Sequence, residues 1–298
     1  MKSGHLRDRK AAASEVVSAL QGSLTQQTEE HYRAAVGRVI RVMRERSAVP
    51  LSLNEMAGLG FMSPFHFNRV FRLVTGIPPG LFQSALRFEA AKRLLLTTPL
   101  HMAEICDELG FLSPATFARQ FKARVGLAPE RLRRLAKMIP ESSLGIEDPL
   151  AAFEALQPPQ GLTGEVTAPE GFEGLAAVAL FKRATPESWP SACAVRRSAG
   201  TFVLPQLPEG TYHLLAAGLD RREDITACLV DSDRILRSSS RGLRIVIRGR
   251  RIEGLPEGGV RLRPADPLDP PILFAFPALL LEPLLGDQSA LAPFERAG

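Results

Sequence analysis

The sequence predicts two domains of opposite class, an all-α domain followed by an all-β one. Three observations carry this. A twenty-residue unit occurs twice in the first half, as GFMSPFHFNRVFRLVTGIPP from Gly60 and GFLSPATFARQFKARVGLAP from Gly110, with nine positions identical. Beyond about residue 160 the hydrophobic period changes from helical toward two. The charge divides near the same place: residues 1–140 carry 21 Lys and Arg against 11 Asp and Glu, and residues 141–298 carry 16 against 21. A chain of 298 residues has length for two cores. A basic half beside a mildly acidic one fits a first half that meets a polyanion, although solvated helix faces would give the same charge.

Residues 1–27 are polar and read as a flexible arm. A first helix is expected from Thr28, as cap, to about Arg46; Glu29 and Glu30 suit the positive end of its dipole, and Tyr32, Val36, Val39, Ile40 and Met43 recur at helical spacing. A short helix near Leu53–Leu59 precedes the first copy of the unit. A continuous helix from about Gly80 to Leu96 joins the copies. A second short helix around Met102–Leu109, the second copy and the tail helix PERLRRLAKM complete a domain over residues 28–139.

Each unit carries its own start and stop. Ser63-Pro64 and Ser113-Pro114 are N-caps followed by proline at the first helical position. Gly76 and Gly126 sit where a left-handed residue would end the helix. One face is apolar, with Phe67, Val70, Phe71 and Val74 in the first helix and Phe117, Phe121 and Val125 in the second. The other presents Phe65, Asn68, Arg69 and Arg72, and in the second copy Ala115, Ala118, Arg119 and Lys122, with Thr116 on the flank. A short helix, a glycine-containing turn and a second helix with a basic outer face is the helix-turn-helix pattern. Arg and Asn on such a helix can read guanine and adenine in the major groove, and neighbouring cations can pair with phosphates. Arg69 and Arg119 read first as base or phosphate contacts, with ion pairing within the fold as the alternative.

The second cycle, Ile105-x4-Gly110-Phe111-x-Ser113-x3-Phe117-x-Arg119-x-Phe121-Lys122-x3-Gly126-x2-Pro129, resembles the AraC/XylS family of transcription regulators. The joining helix, with Leu86-Arg87, Ala90, Ala91, Arg93, Leu94 and Leu95, resembles that family's Arg-x-x-x-Ala-x-x-Leu-Leu stretch. The likeness covers roughly residues 29–137. It implies two recognition helices held on one spacer in adjacent major-groove segments. The reader positions it implies are Phe65, Asn68 and Arg69, and Ala115, Thr116 and Arg119; Ser63, His66, Arg72, Ser113 and Lys122 complete the expected DNA-binding set. Three features depart from the family: the module is N-terminal, the first cycle is one residue short between Met56 and Gly60, and the second helix offers few hydrogen-bonding groups.

Residues 140–160 are rich in Pro, Ser and acidic residues and read as a linker. Eight runs then suggest strands: LTGEVTA, LAAVALF, ACAVRR, GTFVLPQL, GTYHLLAAG, ITACLV, GLRIVIRG and GVRLRP. Close spacing and bounding Gly, Pro and acidic residues predict an all-β sandwich over residues 161–285, with a tail at 286–298. The stretch Gly200, Phe202, Leu204, Leu207, Pro208, Gly210, Tyr212 is similar to carboxypeptidase-regulatory-like, transthyretin-like domains, a likeness that implies a fold rather than a chemistry.

Catalytic signatures are sparse. His213 is lone, Asp231-Ser232-Asp233 reads as a turn, and Cys193 lacks neighbours that would activate it. Cys106, Cys193 and Cys228 form no CxxC pair, which disfavours a disulfide framework and fits a reducing cytoplasm. The apolar run Pro270 to Leu285 is too short to span a bilayer, is broken by Pro277, Glu282 and Pro283, and reads as core strand and connection. In RGLRIVIRGRR, Arg244 and Arg248 alternate with apolar residues as a solvated strand face would, or as a face toward DNA or an acidic partner.

The reading is a sequence-specific DNA-binding regulator with no enzyme activity, cofactor or metal. Its expected partners are double-stranded DNA, RNA polymerase and a small-molecule effector of the β domain, with no membrane. Two alternatives remain: an interaction protein with a degenerate helix-turn-helix module, and an enzyme targeted to DNA.

Overall fold

The computed structural model describes residues 26–138 and 161–275, apart from 186, 188, 239–242 and 250. Of the expected arm over residues 1–27, residues 1–25 lie outside the described residues, as do the linker at 140–160, the run beyond residue 275 and the C-terminal tail; residues 26 and 27 are helical, not part of a flexible arm. A helical half is followed by a strand-rich half. Helix α1 covers residues 26–45, so Thr28 lies within it and does not cap it. Then come α2 (Leu53–Leu59), α3 (Pro64–Thr75), α4 (Pro79–Thr97), α5 (Met102–Glu108), α6 (Pro114–Val125) and α7 (Pro129–Met138).

The two units are built alike. In the first, Phe67, Val70, Phe71 and Val74 of α3 pack with Val36, Val39 and Met43 of α1 and with Phe82 of α4. In the second, Phe117, Phe121 and Val125 of α6 pack with Phe88 of α4 and with Leu132 and Leu135 of α7. Joining helix α4 feeds both cores, which is why apolar residues surround it. Truncating one of these buried phenylalanines to Ala costs about 3–5 kcal/mol.

The missing residue of the first cycle falls in the turn. Helices α2 and α5 begin 49 positions apart, at Leu53 and Met102, whereas α3 and α6 begin 50 apart, at Pro64 and Pro114. The 49-residue register persists through the turn: Met62 N–H donates to Ala57 O at 3.0 Å, and Phe111 N–H to Cys106 O at 2.8 Å. Leu112 is thus the residue without a counterpart. The matching Gly-Phe pairs are not equivalent in space, since Phe61 (φ 55°) stands where Gly110 (φ 66°) stands. A side chain in this left-handed region costs roughly 1–2 kcal/mol. At Gly110 a Cβ would also meet Ala48 O at 2.7 Å.

The strand-rich half holds two sheets. Strands β1 (Leu162–Thr167), β4 (Gly200–Leu204) and β9 (Val260–Arg261) form one, in the order β4-β1-β9. The other is ordered β3-β2-β5-β7-β8, from β3 (Ala192–Arg196), β2 (Gly174–Phe181), β5 (Gly210–Asp220), β7 (Arg244–Arg248) and β8 (Arg251–Glu253); β6 (Leu236–Arg237) pairs with β5. Val166, Phe202 and Val260 from the first sheet meet Val178, Leu214 and Ile245 from the second in one core.

Two expectations fail here. ITACLV is not a strand but helix α8 (Ile225–Val230): Asp224 caps it, accepting from Ala227 N–H at 2.5 Å, and Ile225, Cys228 and Leu229 share its buried side. A six-residue apolar run satisfies either period, and the cap decides. Ile272 to Ala275 are buried but lie outside any strand; they run over α4 and α6, with Ala275 N–H donating to Val125 O at 3.1 Å.

The halves share a core. Leu175, Ala177, Ala179 and Phe181 of β2 join Phe88, Leu95, Phe117 and Phe121 of the helical half in one cluster, with α8 against α4. Leu268 packs into the core of the first unit. A polar seam runs beside these contacts. Lys92 of α4, 2% exposed, donates to Ile272 O at 3.3 Å, and burial lowers its pKa. Ser232 donates to Glu89 at 2.6 Å, and Arg44 lies 3.6 Å from Glu89 and 3.5 Å from Asp233. Arg237, also buried, donates to Pro270 O at 3.1 Å and to Ser232 O.

Candidate nucleic-acid interface

The outward side chains of α3 and α6 are exposed or half-buried. Ser63 accepts from His66 N–H at 3.4 Å and Ser113 from Thr116 N–H at 3.3 Å, so both serines cap their helices as the sequence implies. Gly76 (φ 83°) and Gly126 (φ 92°) end them in the left-handed conformation. Between these stops α3 exposes Phe65, Arg69 and Arg72, with Asn68 half-buried. Helix α6 exposes Ala115, Arg119 and Lys122, with Thr116 and Ala118 half-buried. Arg69, Arg72, Arg119 and Lys122 form no ion pair among the described residues. All four cations are therefore available to an external anion.

Two of the candidate residues are less free. His66 is half-buried, its ring edge-on to Tyr32 at 5.7 Å. Thr116 Oγ1 accepts from Ser113 Oγ at 3.0 Å, which turns it toward the cap. Arg124, on the flank of α6, is engaged inward: it pairs with Glu187 at 2.7 Å and lies 4.9 Å from the centre of the Phe88 ring.

Sequence reasoning missed the residues that position the units. Gln83 bonds the loop before α2, accepting from Leu51 N–H at 2.9 Å and donating to Leu51 O at 3.3 Å. Arg133, its counterpart in the second unit, donates to Leu95 O at 2.9 Å and Leu100 O at 2.7 Å. Arg87, on α4, reaches across to the turn of the second unit. Its Nε donates to Leu109 O at 2.7 Å, a terminal nitrogen donates to Gly110 O, and the guanidinium lies 4.0 Å from the centre of the Phe111 ring. The fifty-residue offset of Gln83 and Arg133 was the available signal. Also missed were two exposed apolar residues at the turns: Phe61, 86% exposed beneath Arg38, and Leu112, fully exposed. Beside Phe65 at 83% exposure they leave each recognition helix with a bare apolar tip.

Helix α4 has 19 residues and is about 28 Å long at 1.5 Å per residue, comparable to the roughly 34 Å pitch of duplex DNA. A cleft of about 570 Å³ separates the loop at 46–51 from α4 and the end of α5; Glu45, Glu55 and Glu108 line it beside Arg46 and Arg93, a mixed charge that favours no one ligand sign.

Elsewhere the chemistry is quiet. No cluster of His, Cys, Asp and Glu among the described residues could hold a metal. Burial pushes the Cys193 and Cys228 thiols up to about 12, far from a reactive thiolate at neutral pH. His213 is half-buried on β5; burial, then the charge of Arg244, lowers its pKa. No described helix is long and apolar enough to cross a membrane.

Residues 56–135 match the family model described as a helix-turn-helix domain. Over 88 residues the chain is 31% identical to the bifunctional transcriptional activator/DNA repair enzyme AdaA of Bacillus subtilis, covering 30% of this chain and 42% of AdaA. Over 91 residues it is 36% identical to the HTH-type transcriptional regulator Rv1931c of Mycobacterium tuberculosis, covering 30% of this chain and 35% of that one. The chain thus spans less than half the length of these curated relatives. Among solved structures, the DNA-binding domain of AdpA, a global transcriptional factor crystallised with a target DNA, aligns at 26% identity and TM-score 0.33, covering 35% of this chain and 93% of that one. The C-terminal domain of AraT, a response regulator from Geobacillus stearothermophilus, aligns at 28% identity and TM-score 0.32, covering 34% and 84%. An AraC-type regulator from Chromobacterium violaceum aligns at 23% identity and TM-score 0.33, covering 34% and 90%.

Proposed function

We propose that the protein is a sequence-specific DNA-binding transcription regulator of the AraC/XylS kind. In this reading α3 and α6 lie in adjacent major-groove segments on one face of the duplex. The observation that carries it is the pair of capped helices fixed on one spacer helix, each with two exposed cations that form no ion pair among the described residues. Arg69 and Asn68 read base edges in the first segment and Arg119 in the second, while Arg72 and Lys122 take phosphates. Ala115 and Phe65 give apolar contacts to thymine methyl groups. Ser63, Ser113, His66 and Thr116 act mainly by holding the helix starts.

We assign the strand-rich half to the carboxypeptidase-regulatory-like sandwiches and give it a regulatory part rather than a catalytic one. Its larger sheet packs on α4, so an effector or RNA polymerase acting on that half would be felt at the spacer. The proposed setting is the cytoplasm. The test is selection of random duplexes by the purified full chain at near-physiological salt. A bipartite motif with half-elements about 10 bp apart supports the reading. Salt-sensitive bulk binding with no enriched sequence overturns it.

A further inference from the structure

The larger sheet shows the same outer face to two different surroundings. At β2 that face is covered: Phe181 is buried, with the Phe274 ring edge-on at 6.1 Å. Phe181 is paired with His213 of β5, and His213 with Arg244 of β7. Paired residues point to the same side, so Arg244 stands two strands, about 10 Å, from the covered row. Arg248 lies on the same side of β7, and Arg251 of β8 is paired with it. Ile245 and Ile247, between them, turn inward to the inter-sheet core. The result is an exposed row of three arginines beside the docked helical half.

These arginines differ from others in the strand-rich half. Arg221, Arg222, Arg234 and Arg263 each hold a carboxylate, those of Glu173, Asp220, Glu223 and Asp269. Arg244, Arg248 and Arg251 form no ion pair among the described residues, although Glu253 stands on the neighbouring strand. Half-buried Val246 is the apolar side chain between the two β7 arginines. A protein partner would usually find an apolar centre to desolvate; this surface offers charge instead. Arg244 and Arg248 are four residues apart, about 13 Å along an extended strand, close to the roughly 12 Å width of the major groove.

We propose that Arg244, Arg248 and Arg251 hold phosphates of the same duplex that α3 and α6 read, outside the segments those helices occupy. The proposal rests on the DNA-binding reading above. It makes the strand-rich half a direct contributor to affinity, without base discrimination.

The experiment uses the full chain and the duplex enriched by selection, with flanks of natural-length DNA. Affinity is measured by fluorescence anisotropy over a salt series for the wild type, the triple variant Arg244→Ser, Arg248→Ser, Arg251→Ser, and the triple Arg→Lys variant. The expected result is a log–log salt slope shallower by about 2–3 in the Ser variant, roughly 0.9 for each phosphate no longer neutralised, with the selected motif unchanged. The Lys variant should keep the wild-type slope, because a point cation still pairs with phosphate. A Ser variant with the wild-type slope, while the wild type binds its motif specifically, overturns this proposal and leaves the DNA-binding reading standing. An unchanged slope accompanied by loss of transcriptional effect would mean the row faces a protein, which also overturns it. If the wild type enriches no motif, the failure belongs to the underlying reading.

Discussion

Replacing Arg87 by Ala should loosen the second helix-turn-helix unit on its spacer. Arg87 makes two hydrogen bonds to the turn, to the carbonyls of Leu109 and Gly110, and stacks over Phe111. A hydrogen bond involving a charged group contributes about 1.5–3 kcal/mol net. This guanidinium is partly solvated, and the freed Gly110 carbonyl would meet water, so each bond belongs at or below the low end. The cation–π contact adds about 0.5–1 kcal/mol. The loss should total roughly 2–3 kcal/mol, read as a lower urea midpoint of the full chain. The functional consequence is more specific. With the clamp gone, the second recognition helix is no longer held at one distance from the first. Duplexes with half-elements at the selected spacing, and one or two base pairs either side, should then bind with more similar affinities. Affinity for the first half-element alone should not change. Arg87→Lys keeps the charge but not the planar fork, and should fall between. A variant that unfolds like the wild type and keeps its full spacing preference would refute the positioning role.

Three further outcomes follow from the geometry. Arg69→Ala and Arg119→Ala should each cost about 1–3 kcal/mol of binding and relax the motif at separate half-elements, checked by repeating the selection with each variant. Gly110→Ala should destabilise the fold by about 1–3 kcal/mol, measured as a fall in Tm, since its φ of 66° and the Ala48 carbonyl 2.7 Å from the new Cβ both oppose a side chain. His213 should titrate below its ordinary 6.5, by NMR, because burial and then Arg244 disfavour its cation. Its stabilising contribution is therefore present above about pH 6.5 and lost as the pH falls through the folded value; Arg244→Ser should move that value upward without restoring it fully.

Much of the helical half was legible because its signals are local. Ser63-Pro64, Ser113-Pro114, Gly76 and Gly126 mark helix ends by caps and backbone conformation, and the apolar faces follow the helical period. The turn register was not legible. The matching Gly-Phe letters drew Gly60 onto Gly110, whereas hydrogen bonds to Ala57 and Cys106 place Phe61 there. In the strand-rich half the alternating runs identified seven of the eight candidate segments as strands, while the Asp224 cap turned ITACLV into a helix. The two-residue β6 and three-residue β8 are too short to carry a period. Least legible was the docking of the two halves. Nothing local in the sequence of α4 marks Glu89 and Lys92, whose partners Ser232 and Ile272 come from the strand-rich half, 143 and 180 residues away.

In the proposed function both recognition helices read one face of one duplex. The most direct test is a hydroxyl-radical footprint of the full chain on its enriched duplex. Two protected segments about 10 bp apart on the same face are expected, with protection of the second selectively weakened by Arg119→Ala. A single protected segment, or one unaffected by Arg119→Ala and lost only through Arg69, would contradict it.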